Sequence, residues 1–284
     1  MNCNLCPRMC NVDRSKTLGM CLCSDTVKVA RAAAHMWEEP CLSGDLGSGA
    51  IFFAGCSLHC KYCQNGAISK GEAGKPMTVL QLSDTIKKLE ATGCHNINFV
   101  TPTHYRTQIV ASLEIAKPQI PVLYNTSGYE LAAQLKLLSG KVQIYLPDFK
   151  YMDSAIAALY SSAPDYPQVA KAAVAEMVRQ QPNCEFDGSG IMTKGVIVRH
   201  LVLPDHTDDS LKIIRYLYET YGDDIYLSIM NQFTPQAACP ELPRTVATAE
   251  YSKVVDFAIE LGVTKAFIQE GGTASESFIP EFEV

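Results

Sequence analysis

From Ala50 onward, short runs rich in β-branched and aromatic residues alternate with longer stretches of helical period. That alternation predicts βα units around a parallel sheet. Strands are expected near 50–54 (AIFFA), 96–100 (NINFV), 121–125 (PVLYN), 142–147 (VQIYLP), 195–203 (GVIVRHLVL), 225–230 (IYLSIM) and 265–269 (KAFIQ). The stretch after Thr78 puts Val79, Leu82, Ile86 and Leu89 on one helical face, opens on Thr78 and Gln81 as a capping box, and stops at Gly93. Further helices are expected near 105–116, 129–138, 165–180, 208–220 and 246–261, with Pro118, Pro164 and Pro182 at their edges. Six or seven such units fit a partial or nearly complete (β/α) barrel, with an open doubly wound sheet as the alternative. Polar residues follow the strands: Gly55-Cys56, Thr101-Pro102-Thr103-His104, Asn125-Thr126-Ser127, Asp148-Phe149-Lys150 and Asn231-Gln232. In either fold, loops leaving the C-terminal strand ends carry the functional site. Residues 1–49 break the alternation and read as a small appended module, and 271–284 read as an irregular tail.

Composition removes several function classes. Hydrophobic residues make up 47% of the 284 and charged residues 19%, and no apolar run approaches the ~18 residues of a membrane helix. No apolar stretch follows Arg8, so no signal peptide is expected and a cytoplasmic location is. Lys plus Arg number 24 against 30 Asp plus Glu, a net charge of −6 without long runs of one sign, which argues against a sequence-independent grip on nucleic acid. Cysteine changes the picture most. Of 12, nine lie at positions 3, 6, 10, 21, 23, 41, 56, 60 and 63, leaving Cys94, Cys184 and Cys239 as isolated thiols of the buried or incidental kind. In a reducing compartment such clustering points to metal rather than to disulfides.

Directly after the first expected strand comes Cys56-x3-Cys60-x2-Cys63. A four-iron cluster ordinarily takes four cysteines, so three from one loop leave an iron open to a substrate or cofactor. Half of a zinc knuckle, with His59 or another residue as fourth ligand, is the competing structural reading. Upstream, Cys3, Cys6, Cys10, Cys21 and Cys23 offer five further ligands in a polar stretch that can hardly fold without a metal staple. Four suffice for zinc or a second cluster, and Cys23 or Cys41 can each replace the last. Asp148 and Lys150, two apart at a strand end, point to one face, as a plain ion pair also would. Arg199 alternates with Val198 and His200, which leaves its face open. The stretch from His35 to Pro40 holds the only tryptophan, Trp37, and is expected to pack the N-terminal module on the barrel.

The cysteine loop resembles the radical S-adenosylmethionine superfamily, whose signature is Cys-x3-Cys-x-aromatic-Cys after the first strand of a partial (β/α)6 barrel; Tyr62 supplies the aromatic. The closer resemblance is to the activating enzymes of glycyl radical enzymes, in the pyruvate formate-lyase activating enzyme-like branch of iron-sulfur proteins. It is carried by Gly47-Ser48-Gly49, Phe52-Phe53-Ala54-Gly55-Cys56 and Tyr62-Cys63-Gln64-Asn65, by Asn125-Thr126-Ser127-Gly128, and by Leu146-Pro147-Asp148-Phe149-Lys150. The resemblance implies an α/β fold with a radical S-adenosylmethionine partial barrel over 50–270, behind a cysteine-rich metal-binding module over 1–49. It implies a [4Fe-4S] cluster on Cys56, Cys60 and Cys63 that binds S-adenosylmethionine. The implied activity is that of an oxidoreductase which makes a 5′-deoxyadenosyl radical and takes hydrogen from a glycine of a glycyl radical enzyme. A small molecule or another protein is the rival target, and an iron-sulfur electron carrier or zinc-binding interaction module the rival class. Tyr62, Thr101, Thr103, Asn125, Asp148, Lys150 and Arg199 become the expected cofactor-side residues. Cys3, Cys6, Cys10 and Cys21 become the expected ligands of a second [4Fe-4S] cluster or zinc, and flavodoxin or ferredoxin the expected electron donor. One departure stands out: many members carry Gly-Gly-Glu after the second strand to hold the methionine ammonium, where this chain has Thr101-Pro102-Thr103-His104. Carbonyls freed by Pro102, with the threonine hydroxyls, are expected to accept those hydrogens instead.

Overall fold

The structure is a computed structural model in which residues 2–269 are described. Ten strands form its sheet: β1 (Val27–His35), β2 (Ser48–Phe53), β3 (Lys75–Met77), β4 (Ile97–Val100), β5 (Val122–Thr126), β6 (Ile144–Pro147), β7 (Glu185–Phe186), β8 (Met192–Leu201), β9 (Tyr226–Met230) and β10 (Ala266–Ile268). Their order is β3-β1-β2-β4-β5-β6-β8-β9-β10, with β7 folded onto β8. From β2 to β10 every neighbouring pair on this path is parallel. Parallel neighbours need crossovers, and the helices lie in the connections: α1 (Pro40–Ser43), α2 (Gly66–Ser69), α3 (Val79–Ala91), α4 (Arg106–Ala116), α5 (Ala132–Leu135), α6 (Ser154–Ser161), α7 (Tyr166–Gln180), α8 (Thr207–Tyr221) and α9 (Thr248–Leu261). The fold is thus α/β with a parallel-rich sheet, and among the described residues β3 and β10 end it without pairing with each other. All seven expected strands are present, their ends shifted by at most three residues. The tail over 271–284 lies outside the described residues. Among the described residues no helix is long and apolar enough to cross a membrane.

Local chemistry accounts for the helix ends. Thr78 Oγ1 accepts from the Gln81 N–H at 3.2 Å and Gln81 Oε1 from the Thr78 N–H at 2.8 Å, which closes the capping box of α3. The single helix expected over 129–138 is instead α5 followed by a 3₁₀ turn, Lys136–Leu138. Its first residues are held elsewhere: the Glu130 carboxylate is buried among Thr103, Tyr124 and Thr126, so the chain turns helical only at Ala132. The unexpected α6 starts from Asp153, whose carboxylate accepts the N–H groups of Ala155 and Ile156 at 2.7 and 3.3 Å.

β1 is the largest addition to the expected pattern. Its VKVARAAAH sequence has weak strand propensity, and pairing holds it: it runs antiparallel to β2 on one side and to β3 on the other. The connection from β1 to β2 then packs on one face of the sheet. Cys41 and Leu42 of α1 pack with Leu123, Ile144, Leu146, Met192 and Ile197, a cluster separate from the main core. Tyr145, Val196 and Val198 on the opposite face join that main core. Strand alternation thus divides the two faces, and α1 fills the inner one. Asn96 fixes it there, its Nδ2 donating to the Leu42 carbonyl at 2.8 Å.

Candidate active site

The cysteine loop begins where β2 ends. Gly55 has φ 83°, and a Cβ there would stand 2.2 Å from Cys23 Sγ and 2.6 Å from the Cys21 carbonyl, so no other residue fits the turn. The Cys56 N–H donates to that Cys21 carbonyl at 3.2 Å, and Cys23 Sγ donates to the Ala54 carbonyl at 3.1 Å. His59 takes φ 54°, its ring Nε2 lying 2.7 Å from the Met20 carbonyl. Arg8 clamps the same loop. Its guanidinium donates to the carbonyls of Ser57 (2.8 Å), Leu58 (3.1 Å), Ser161 (2.8 Å) and Ser162 (2.5 Å). The N-terminal segment is therefore packed directly on the loop.

Cys56, Cys60 and Cys63 line one cavity of about 240 Å³. That is many times the ~10–15 Å³ one water needs, so the space suits a group of many atoms rather than a lone ion. Tyr62, Thr101, Asn125, Asp148, Lys150 and Arg199 line it too, each from the C-terminal end of a strand or the loop beyond. Thr101 is held in the left-handed region, at φ 58°, with its N–H on the Asn125 carbonyl at 2.9 Å. Four charges share one network. Lys150 Nζ lies 2.7 Å from Asp148 Oδ2, Arg199 Nε 3.1 Å from Asp148 Oδ1, and Arg199 Nη1 3.1 Å from Glu38 Oε2. Arg199 Nη2 donates to Asn125 Oδ1 at 2.6 Å, and Glu38 Oε1 accepts from Asn125 and Asn98 at 3.1 and 2.8 Å. Burial alone would raise the Asp148 pKa, but Lys150 and Arg199 outweigh it and hold the carboxyl below its usual value. Burial likewise opposes the Lys150 charge, and Asp148 and Cys60 prevail and raise its pKa.

Burial and the surrounding donors act on Cys56 and Cys63 in opposite senses. Burial pushes Cys56 up to about 11 and Cys63 up to about 12, and in both cases backbone N–H groups and the Lys150 ammonium pull the other way. The Leu58 N–H points at Cys56 Sγ from 3.4 Å, and the Ser161 hydroxyl donates to Cys60 Sγ at 3.2 Å. A coordinated metal deprotonates a thiol outright, and donors already aimed at the sulfurs suit the charge that results. The donor set fits an iron-sulfur cluster. Among the described residues no three His, Cys, Asp or Glu side chains close around a single metal ion, a tighter requirement than thiolates on separate irons must meet.

Thr103 is not brought to the cavity. It is buried, and its hydroxyl donates to Glu130 Oε1 at 2.6 Å, so Thr101 alone of the two threonines lines the site. Trp37, expected to pack the N-terminal module on the barrel, is about half exposed and lines the cavity, as does Glu38, which sequence reasoning did not single out as a site residue. The available signal was an acidic pair, Glu38-Glu39, wedged between the tryptophan and the apolar Cys41-Leu42. It also missed Tyr151, whose hydroxyl lies 2.7 Å from those of both Tyr62 and Ser161.

The N-terminal thiols divide. A Cβ on Gly19 would lie 3.2 Å from Cys21 Sγ and 3.6 Å from Cys10 Sγ, so these two sulfurs flank one point. Cys6 is buried and is acted on electrostatically by both Cys21 and Cys3. Cys23 faces Ala54 instead, and Cys41 lies inside the sheet with Leu42.

Comparison with known proteins bears on the family and the fold. An uncharacterized protein of Methanocaldococcus jannaschii is 28% identical over 269 residues, covering 90% of this chain and 74% of that protein. Among solved structures, Streptococcus suis SuiB bound to S-adenosylmethionine matches with a TM-score of 0.52 at 12% identity, over 79% of this chain and 50% of SuiB. Methylornithine synthase (PylB) matches with a TM-score of 0.51 at 15% identity, over 75% of this chain and 60% of that one. At such identities the likeness is one of fold, and the chain spans about half of SuiB's length. The sequence model of the Radical SAM superfamily matches residues 50–217, more than half of the chain, and so the protein belongs to the radical S-adenosylmethionine superfamily, whose members work with S-adenosylmethionine and a [4Fe-4S] cluster.

Proposed function

We propose that the protein cleaves S-adenosylmethionine reductively at a [4Fe-4S] cluster held by Cys56, Cys60 and Cys63, and takes a hydrogen atom from a backbone glycine of a glycyl radical enzyme. The observation that carries the cofactor reading is the meeting of those three thiols with Asp148, Lys150 and Arg199 in one cavity at the strand ends. When bound, the cluster supplies the electron that breaks the sulfonium and so generates the 5′-deoxyadenosyl radical. The chain supplies position. Two carboxylates and two cations along one wall match the ammonium and carboxylate of an amino acid end, and Asn125 holds Arg199 and Glu38 in register with them. The apolar cluster around Leu42 lies beneath and keeps that side of the wall dry. The activase assignment rests on the Tyr62-to-Asn65, Asn125-to-Gly128 and Leu146-to-Lys150 stretches, which the fold gathers around one rim. Thr101-Pro102 in place of Gly-Gly-Glu favours the second reading, a small molecule or another protein as hydrogen donor. A flavodoxin or ferredoxin is the proposed reductant, and Cys3, Cys6, Cys10 and Cys21 the proposed ligands of a second cluster or zinc.

Anaerobic reconstitution, followed by iron and zinc analysis and an assay for 5′-deoxyadenosine, tests the reading. Cys56→Ala, Cys60→Ala and Cys63→Ala should each abolish 5′-deoxyadenosine formation; turnover with an intact cluster signal in any of them refutes the ligand set. Replacing Cys3, Cys6, Cys10 and Cys21 together should lower total metal and leave an electron paramagnetic resonance signal that still responds to S-adenosylmethionine. Loss of that response in folded protein would assign those thiols to the catalytic site. A glycyl radical signal appearing in a candidate partner separates the activase from the second reading.

A further inference from the structure

The connection between β9 and α9 runs over residues 231–247 without a helix or a strand. Connections longer than ~12–15 residues with no structure of their own are uncommon in compact domains and usually functional. Pro235, Pro240 and Pro243 interrupt it and remove three donors. Of residues 232–246, only Cys239 and Leu242 donate a backbone N–H to another of the described residues. Backbone bonding therefore does little to hold the segment in place. Side chains hold it instead. Phe233, Cys239 and Leu242 are each at most 1% exposed and join the main core. Three further contacts run to the cysteine loop. Gln64 Nε2 donates to the Gln232 carbonyl at 2.7 Å and to Thr234 Oγ1 at 3.1 Å. Lys61 Nζ lies 3.1 Å from Glu241 Oε1, and the Phe233 ring meets the Tyr62 ring edge-on with centroids 5.9 Å apart. Gln64 and Gln232 both line the cavity.

We propose that residues 231–247 form a strap whose seating is coupled to the cluster, with Gln64 as its latch. The proposal rests on the reading of Cys60 and Cys63 as cluster ligands. Lys61, Tyr62 and Gln64 lie between and beside those two cysteines in the chain. A group bound to both thiols fixes the backbone that carries all three contacts, and the strap then docks on partners that are already ordered. On an empty loop the strap must order those partners itself. Of the three contacts, the Lys61–Glu241 pair lies at the surface and contributes little. Gln64 joins the loop to two acceptors of the strap, which makes it the positioning residue. The seated strap brings Gln232 to the cavity, so the site takes its final shape only once the cluster is in place.

Cys239 supplies the readout, because a fully buried thiol is alkylated only when the strap lifts. Metal-free and reconstituted protein, held anaerobically, receive short pulses of iodoacetamide, and mass spectrometry resolves the labelled positions. Cys94 is the reference: it is 2% exposed and precedes β4, whereas the strap follows β9, at the opposite end of the parallel strands. Loading the cluster should slow the labelling of Cys239 at least about tenfold more than that of Cys94, within the range usual for coupled sites. Equal slowing at both thiols overturns the strap, since it reports only a general gain in stability. Gln64→Leu should bring the two thiols close to equal slowing. A Gln64→Leu protein that keeps the full wild-type difference overturns the latch, because a merely structural side chain speeds labelling in both forms alike. Should Gln64→Leu fail to fold, Thr234→Val, which removes one acceptor and leaves the cysteine loop untouched, decides by the same comparison. Cys60→Ala, reconstituted alongside, separates the two levels. Full iron there refutes the ligand assignment. With the cluster lost, labelling of Cys239 at the metal-free rate upholds the coupling, and protection equal to that of loaded wild type overturns it.

Discussion

Arg199 is held on all three guanidinium nitrogens, by Asp148, Glu38 and Asn125, from three different elements. Each partner fixes one direction of a planar fork. Removing one member of such an enclosed charged contact typically costs ~2 to 5 kcal/mol, against ~0 to 1 for an exposed pair. Asp148→Asn, Lys150→Met and Arg199→Met should therefore each weaken S-adenosylmethionine binding at least about tenfold, ~1.4 kcal/mol, without loss of iron. Titrating the cluster's resonance signal with the cofactor measures this, and unchanged affinity in all three would reduce them to strand-end ion pairs. Thr103 belongs to a different argument. Its bond to the buried Glu130, which also holds Arg106, ties it to the frame. Thr103→Val should cost ~1.5 to 3 kcal/mol in anaerobic urea unfolding and leave cofactor affinity unchanged. Strand-end position made Asp148, Lys150 and Asn125 legible from sequence, because a period of two and the end of an apolar run locate them. Glu38 was not legible, since what brings it to Arg199 is the pairing of β1, a contact between distant parts of the chain.

Among the elements, the turn at Gly55 shows how tightly the loop is joined to what precedes it. Gly55→Ala meets Cys23 Sγ, the Cys21 carbonyl and an unfavourable φ together. It should lower the iron content of reconstituted protein, and adding Cys23→Ala should not rescue it, because two of the three conflicts remain. α1 is the other decisive element. Leu42 is fully buried on the inner face of the sheet, and Leu42→Ala should cost ~2 to 5 kcal/mol in the same unfolding assay. Four residues carry too little periodicity to announce a helix, and alanines do not announce a strand, so α1 and β1 were hidden for the same reason. Both are stabilised by what they pack on rather than by their own sequence. The long amphipathic α3 and the apolar β2, β4, β5, β6, β8, β9 and β10 carry their own signal and were read directly.

The molecule as a whole should lose stability in mild acid. Burial holds His200 at about 4, where its Nδ1 lies 2.8 Å from the Phe149 carbonyl and its Nε2 2.8 Å from Ser210 Oγ. The unfolded chain binds a proton near pH 6.5 that the folded chain refuses until about 4, so stability is intact above 6.5 and falls through that interval, by about 3 kcal/mol for this group. Burial lowers His104, His35 and His59 in the same sense, while burial raises Glu39, whose contribution runs the opposite way, weakening as pH rises past the ordinary carboxylate value. Urea midpoints between pH 4 and 7 should show the acid loss, and His200→Gln should flatten it; a slope unchanged by that substitution removes His200 as a cause. The Arg8 clamp has a consequence in time. Its four acceptors lie 49, 50, 153 and 154 residues along the chain. On a ribosome making ~5 to 20 residues per second, Cys63 emerges on the order of ten seconds before Ser162. Throughout that interval the thiol loop is complete while only two of the four acceptors, Ser57 and Leu58, are present for Arg8, so the loop is half clamped and still open to whatever delivers iron.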